Sequence, residues 1–484
     1  MNTRANRPRR AVAAVGVAAV LLAGCSAASG SETAPDAEPA AAAESEVWDS
    51  SFVHEIEVTF DEGEYAAMVE TYSSTGDKEW ISATVTIDGT TFENAGLRLK
   101  GNSSLRGASV DTDPTALPWL IRLDKYVDGQ SLDGYTQFVV RSNNSETSLN
   151  EAVALELLDL AGLATQEAIA TRFSVNGAAE QLRLVVQNPD DTWDAENFAT
   201  DGILYKAEST GDYSYRGDDP DAYDEVFDQE TNTDNEAFTP LTEFLDFVNN
   251  SSDEEFAEQL DQHLDVEAFA TYLAVQELIG NFDDIDGPGN NSYLRYDAET
   301  GMFTVVAWDH NLAFGGMGRM GPGGLADGRG GGGPPATRNG EMPEPPDGME
   351  LPEDFAPPEG MEIPDDFQPL EGMELPEDIA PPEGMEIPED FAPPGGGRGG
   401  EGGGVGFGGR SNPLVERFLA DETYSALYED ILSELREELY GTSAAQKVLD
   451  SWVEVLTEEA SDLVEASTID QEAEAIEAYF TTEE

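Results

Sequence analysis

The sequence predicts an α+β fold with antiparallel strands, a helical C-terminal part and a disordered insertion between them. Three observations predict it. Short runs alternate apolar and polar residues and are joined by turn dipeptides, Asp88-Gly89 and Asn176-Gly177, the pattern of β-hairpins. From Asn412 onward apolar residues recur at helical spacing, as at Leu427, Ile431, Leu435 and Leu439. Between these regions, residues 316–411 are dominated by Gly, Pro and acids.

The first 24 residues read as a targeting segment. Arg4, Arg7, Arg9 and Arg10 precede a short apolar run, Ala11 to Leu22, too short to span a bilayer. Leu22-Ala23-Gly24-Cys25 has the form of a lipobox, and Cys25 is the only cysteine of the chain. Intramolecular disulfides are thereby excluded, and lipid attachment at Cys25 gives the residue a role. An ordinary secretory signal with an incidental cysteine is the competing reading. Either way the expectation is an extracytoplasmic protein, and in the first case a cell-membrane lipoprotein. Residues 25–46, rich in Ala, Ser, Glu and Pro, read as a flexible tether. The net charge of −75 becomes −79 once residues 1–24, with four arginines and no acids, are removed. Such a surface repels nucleic acid and favours cations or basic partners.

The folded region is expected over 47–315 and 412–484. His54 to Phe60 alternates like a half-buried strand, and Asp61 to Tyr72 reads as a helix. Ile81 to Ile87 and Thr91 to Lys100 form a hairpin whose end carries Lys100-Gly101-Asn102-Ser103-Ser104. A lysine followed by Gly and hydroxyls suits a phosphate, and a surface lysine before a turn has the same local pattern. Trp119 to Tyr126 is a further strand, and Ser148 to Ala161 a helix whose Leu149, Val153, Leu157 and Leu160 face a core. Thr171 to Val175 and Leu182 to Val186 form a hairpin, Gly202 to Ala207 a strand, and 211–236 an acidic loop. Three helices follow, Leu241 to Val248, Asp253 to Leu260 and Val266 to Ile279. The last delivers the chain to a loop carrying Asp283, Asp284, Asp286, Asn290 and Asn291. The hairpin Ser292–Tyr296 and Met302–Trp308 then ends in Asp309. Acids and amides at one open end are hard ligands of the kind Mg²⁺ takes. A solvated turn with Asp309 as a cap has the same composition.

Residues 316–411 contain a twelve-residue repeat that sets Met349, Met361, Met373 and Met385 in phase. Proline at this density forbids helix and central strand, so the segment reads as an extended acidic spacer. Asn412 to Leu419, Thr423 to Tyr440, Ser443 to Ala466 and Ile469 to Phe480 are expected helices.

The stretch Gly280-Asn281-Phe282-Asp283, an Asn ahead of an aromatic-rich strand, and Trp308-Asp309 followed by Phe314-Gly315 resemble the CotH kinase family of atypical secreted protein kinases. Arg98-Leu99-Lys100-Gly101-Asn102-Ser103-Ser104 and Tyr205-Lys206 extend the resemblance. It implies a protein-kinase-like fold and an ATP-dependent phosphotransferase using Mg²⁺ or Mn²⁺. It implies Asp309 and Asn291 as metal ligands, Asp283 or its rival Asp286 as the base, and Lys100, Lys206 and Ser103 at the nucleotide. Asp286 lies five residues before Asn291, the spacing of catalytic Asp and Asn in ordinary kinases. The protein substrate would be Ser/Thr-rich and basic. Where the family carries a Glu this chain has Gln187, with Glu180 and Glu208 as substitutes, so a catalytically weak surface-binding module is the alternative. A hydrolase is a poor fit, for the three histidines, His54, His263 and His310, form no metal-binding pair and no Gly-x-Ser-x-Gly elbow occurs. Crowding of carboxylates around Asp309 predicts that Asp309→Asn keeps or raises the melting temperature.

Overall fold

The protein is described by a computed structural model over residues 46–209, 211–233, 235, 237–315 and 412–481. The targeting segment with Cys25 and the repeat insertion lie outside the described residues. No described helix is long and apolar enough to cross a membrane.

The α+β expectation holds, in two sheets. The first is a closed barrel of seven strands: β1 (His54–Phe60), β2 (Ile81–Ile87), β3 (Thr90–Leu99), β4 (Trp119–Arg122), β5 (Gln137–Val140), β6 (Ala168–Val175) and β7 (Gln181–Gln187). Its order is β1-β2-β3-β4-β5-β7-β6, and β6 returns to β1 in parallel, Ile56 opposite Phe173. The other neighbouring strands of both sheets pair antiparallel, as expected. Closure removes both sheet edges, which no local pattern announces. The second sheet, antiparallel throughout, has the order β11-β10-β8-β9, where β8 is Gly202–Ala207, β9 Phe227–Gln229, β10 Ser292–Asp297 and β11 Met302–Ala307. Strand β9 falls inside the expected acidic loop.

Two apolar cores follow from the burial patterns. The period-2 side chains of β1 and β2 point inward with Leu97, Trp119, Ile121, Phe138 and Phe173 to fill the barrel. Helix α1 (Glu62–Thr75) plugs it with Tyr65, Met68 and Val69. Leu120, Val139, Leu182, Leu184 and Val186 face outward, yet are buried by the second core. That core contains α2 (Leu149–Leu160), which is buried along nine residues rather than a single stripe. A short helix that the sequence did not announce, α3 (Asp191–Asn197), precedes β8.

Helices α4 (Thr239–Asn250), α5 (Asp253–Gln259) and α6 (Val266–Leu278) then lead to the β10–β11 hairpin. Helix α5 starts in a capping box, Ser252 with Glu255. The C-terminal helices are α7 (Pro413–Ala420), α8 (Glu422–Arg436), α9 (Ala444–Glu459) and α10 (Ala466–Glu477). The expected helix Ser443 to Ala466 is therefore broken before α10. Helix α8 packs on α6, and α9 and α10 pack on α2. The strand expected to reach Tyr126 ends at Arg122, whose guanidinium turns back to Asp124 at 2.8 Å.

Candidate active site

The open end of the β10–β11 hairpin meets the rim of the barrel. Ser292 and Ala307 are the last paired residues of the ladder, so Asn291 and Trp308-Asp309 leave the hairpin at the same end. Asp309 has φ +58°, a left-handed conformation that a side-chain-bearing residue adopts at a cost. Three contacts hold the chain on either side of it. Asn150 Nδ2 of α2 donates to the Asn311 carbonyl, Gln166 Nε2 to the Ala307 carbonyl at 3.1 Å, and the Phe314 N–H to the Ile279 carbonyl at 2.7 Å.

The carboxylate of Asp309 faces a cation. It accepts from Arg141, whose Nε also donates to Glu151 of α2 at 2.8 Å. Arg141 lies just past β5, two residues before the Asn pair of the Arg141-Ser142-Asn143-Asn144 stretch. Its carbonyl is gripped by Arg183 Nε at 2.8 Å, and Arg183 also holds the carbonyls of Thr115 and Leu117. Burial pushes the Arg183 guanidinium down to about 10. Sequence reasoning missed both arginines and Glu151. The partners of Arg141 sit ten and 168 positions away, and neither spacing is a motif.

The indole of Trp308 carries two cations, with Lys100 Nζ at 5.5 Å and the Arg141 guanidinium at 5.4 Å from the ring centroid. Lys100 follows β3 and donates to Asn188 Oδ1 at 2.9 Å. Burial, with Lys206, Arg98 and Arg141 nearby and only Glu230 opposing them, brings its ammonium down to about 8. Lys206 projects from β8, opposite Tyr293 and Asp228, and is paired with Glu208. The structure thus brings Lys100 and Arg141, which holds Asp309, onto Trp308, with Lys206 near enough to act on the Lys100 charge. Ser103 is exposed, in the 3₁₀ turn Ser103–Leu105 beyond Gly101 (φ +104°). The neighbouring Asn102 reaches across to Ser209 at 3.3 Å.

The loop after α6 separates the two rival acids. The Asp283 carboxylate accepts the Gly289 N–H, and Asn291 Nδ2 donates to the Asp283 carbonyl at 2.9 Å. Burial raises the Asp283 pKa, and the Gly289 N–H and Asn291 only partly offset it. Asp286 instead accepts the backbone N–H of Asn412 at 2.6 Å, where the described chain resumes before α7. Its neighbour Asp284 accepts the Asp286 N–H at 3.0 Å.

His310 is fully buried beside Gln276, which also holds Asn281 at 2.8 Å. Burial and then Arg141 drive its imidazole down to about 3, so it stays neutral and acts as scaffold. Gln187 turns away from Lys100, to Glu196 at 2.9 Å. Glu180 pairs with Arg172 at the far hairpin, and Glu208 pairs with Lys206 rather than Lys100.

No three His, Cys, Asp or Glu side chains converge as a metal site among the described residues. Of the two expected metal ligands, Asp309 offers a carboxylate already shared with Arg141, and Asn291 an amide oxygen. That set fits an ion whose remaining ligands are substrate phosphates and water, which is how Mg²⁺ is usually held.

A family model described as CotH kinase protein matches residues 97–350, just over half of the chain. It leaves β1, β2 and the C-terminal helices outside its range. The chain is also 23% identical over 172 residues to inner spore coat protein H of Bacillus subtilis (strain 168), a match covering 34% of this chain and 46% of that protein. The chain therefore spans less than half the length of that curated relative.

Proposed function

The chain belongs to the CotH kinase family, and from that premise we propose that it is a protein kinase. It transfers the γ-phosphoryl group of ATP to Ser or Thr hydroxyls of protein substrates, itself included. The observation that carries this reading is the meeting of Lys100 on the barrel rim with the Arg141–Asp309 pair on one indole, beside Lys206 of the second sheet. Phosphoryl transfer asks a protein for positioning and charge neutralisation, and for little covalent work.

Lys100 and Lys206 neutralise the nucleotide phosphates, and the Gly101–Ser104 loop, Ser103 included, adds donors. Asp309 and the Asn291 amide oxygen are the groups that would hold Mg²⁺ or Mn²⁺, which when bound supplies positive charge to the phosphate oxygens. Asp283 accepts the proton of the acceptor hydroxyl. The acceptor oxygen bonds to the γ-phosphorus as the bond to the ADP oxygen breaks. A raised carboxylate pKa suits a base that works near neutral pH. Asp286, committed to Asn412, serves the fold instead. The proposal places this chemistry outside the cytoplasm, with the domain tethered by lipid at Cys25 and basic substrates steered by the acidic surface.

The test is incubation of the full chain with labelled ATP, Mg²⁺ or Mn²⁺ and a basic Ser/Thr-rich protein, alongside calorimetry of Mg²⁺-ATP binding. Label on Ser or Thr supports the kinase reading. Absence of nucleotide binding would overturn it in favour of a surface-binding module on the same fold.

A further inference from the structure

We propose that Asp190 is a positioning residue for Lys100, acting through a relay of two side-chain amides. Lys100 Nζ donates to Asn188 Oδ1 at 2.9 Å. Asn188 Nδ2 donates to Gln137 Oε1 at 3.3 Å, and Gln137 Nε2 to Asp190 Oδ2 at 3.1 Å. No Lys or Arg pairs with Asp190, and no carboxylate pairs with Lys100, among the described residues. The cation and the anion are thus joined only through Gln137 and Asn188.

The two ends fix the direction of the chain. An ammonium only donates and a carboxylate only accepts. Gln137 must therefore turn its NH₂ to Asp190 and its oxygen to Asn188, and Asn188 must turn its oxygen to Lys100. Each amide dipole is aligned with the next, so the negative charge of Asp190 is felt at the ammonium, and successive bonds strengthen one another. Four elements contribute: the end of β3, the start of β5, the end of β7 and the N-cap of α3. Asp190 uses its other oxygen to cap α3, accepting from Thr192 at 3.0 Å and Trp193 at 3.1 Å.

The relay assigns each substitution a distinct outcome. Asp190→Asn keeps a cap oxygen, since Asn caps as well as Asp. Its amide then meets the Gln137 amide donor to donor. Flipping Gln137 only moves the clash to Asn188, and flipping Asn188 aims an NH₂ at the ammonium. Gln137→Met cuts the relay in the middle and touches no cap. Asn188→Asp gives Lys100 a direct carboxylate.

The consequence for catalysis rests on the nucleotide role proposed above for Lys100, so the test includes a readout without nucleotide. In the full chain, acylation of Lys100 by acetic anhydride is followed by mass spectrometry against Lys447 as internal reference. The other charges around Lys100, namely Glu230, Lys206, Arg98 and Arg141, are unchanged in every variant. At pH 7.5 both Asp190→Asn and Gln137→Met should raise Lys100 reactivity roughly two- to threefold, the effect of half to one pKa unit on an ammonium that titrates at about 8. Adding Asn188→Asp to Asp190→Asn should bring it back below wild type. Unchanged reactivity in both single variants, with cooperative melts, overturns the relay. Responsive reactivity in a protein that does not bind Mg²⁺-ATP leaves the relay standing and removes the nucleotide reading.

Discussion

Arg141 spans two acids, donating to Glu151 of α2 on one side and to Asp309 on the other. The pair is half a feature of the fold and half a feature of the site. Glu151 and Arg141 are nearly buried, while Asp309 keeps a quarter of its side chain exposed, at 26%. A cation already lies against Asp309, so a divalent ion held there, as proposed, would share the carboxylate with Arg141 or displace it.

This arrangement reverses the expected response to Asp309→Asn. The carboxylate is neutralised rather than crowded, so its removal should lower the melting temperature. The lost charge-assisted hydrogen bond corresponds to about 1–2 kcal/mol, given the partial exposure and the acceptor that Asn retains. Differential scanning calorimetry of wild type and variant decides the sign, and a rise would show that repulsion dominates. Metal-dependent ATP binding should collapse in the same variant.

Asp283→Asn should separate binding from transfer. A base acts on the acceptor hydroxyl, so Mg²⁺-ATP affinity should stay near wild type while transfer falls by roughly 10²–10⁴. Because burial raises the Asp283 pKa, wild-type transfer should decline on acidification at a higher pH than an ordinary carboxylate would cause. A variant that still transfers at the wild-type rate would remove Asp283 from the chemistry.

Alkaline pH should weaken nucleotide binding. In the proposed role Lys100 meets phosphate as an ammonium, and its pKa stands at about 8 instead of 10.5. Mg²⁺-ATP affinity should therefore be full below about 8 and decline as pH rises through it, as titration calorimetry at several pH values would read. Stability should move the other way. Between about 8 and 10.5 the unfolded chain holds more protons at this residue than the folded one, so its contribution to stability grows with pH. A flat affinity profile across pH 7–9.5 would detach Lys100 from the phosphates.

Residues 316–410 should be dispensable for folding. The flanks are anchored close together. The Phe314 N–H bonds the Ile279 carbonyl, and Asn412 bonds Ile285 and Asp286. Six residues of chain separate those two anchor points, so the gap is at most roughly 20 Å. A Gly/Ser linker of about ten residues spans it even when far from fully extended. The shortened chain should keep a single cooperative melt, and a broad or absent transition would refute the idea. Asp286→Ala should destabilise both forms by about 1–3 kcal/mol, through the loss of the N–H acceptor for Asn412.

Much of this fold could be read locally. The turn dipeptides Asp88-Gly89 and Asn176-Gly177 mark real hairpins, and both Asp88 and Asn176 adopt the positive φ such turns require. The Gly280–Gly315 stretch delivers Asp283, Asn291 and Asp309 to one region because a hairpin is a local object. What stayed hidden depends on distant partners. The parallel pairing of β1 with β6 joins residues more than a hundred positions apart. Strand β9 is three residues long and polar at its exposed position. Arg141 has partners ten and 168 positions away, and only the fold turns it toward Glu151 and Asp309. The amides Gln137 and Asn188 carry no motif at all, and their roles follow from their neighbours.

The last helix bears on how the site comes into being. Glu472 of α10 takes the N–H groups of Glu146 and Thr147 at 3.0 Å, fixing the approach to the helix that carries Glu151. The ring of Tyr479, just beyond it, lies against Gly280 and Gly315, so that a methyl group at Gly280 would come within 2.6 Å of it. These contacts clamp from behind the two segments that present Asp283 and Asp309. On a ribosome the strands and both aspartates emerge long before this clamp does. A nascent chain would thus possess every chemical group of the proposed site while lacking the frame that aligns them, until Glu472 and Tyr479 emerge.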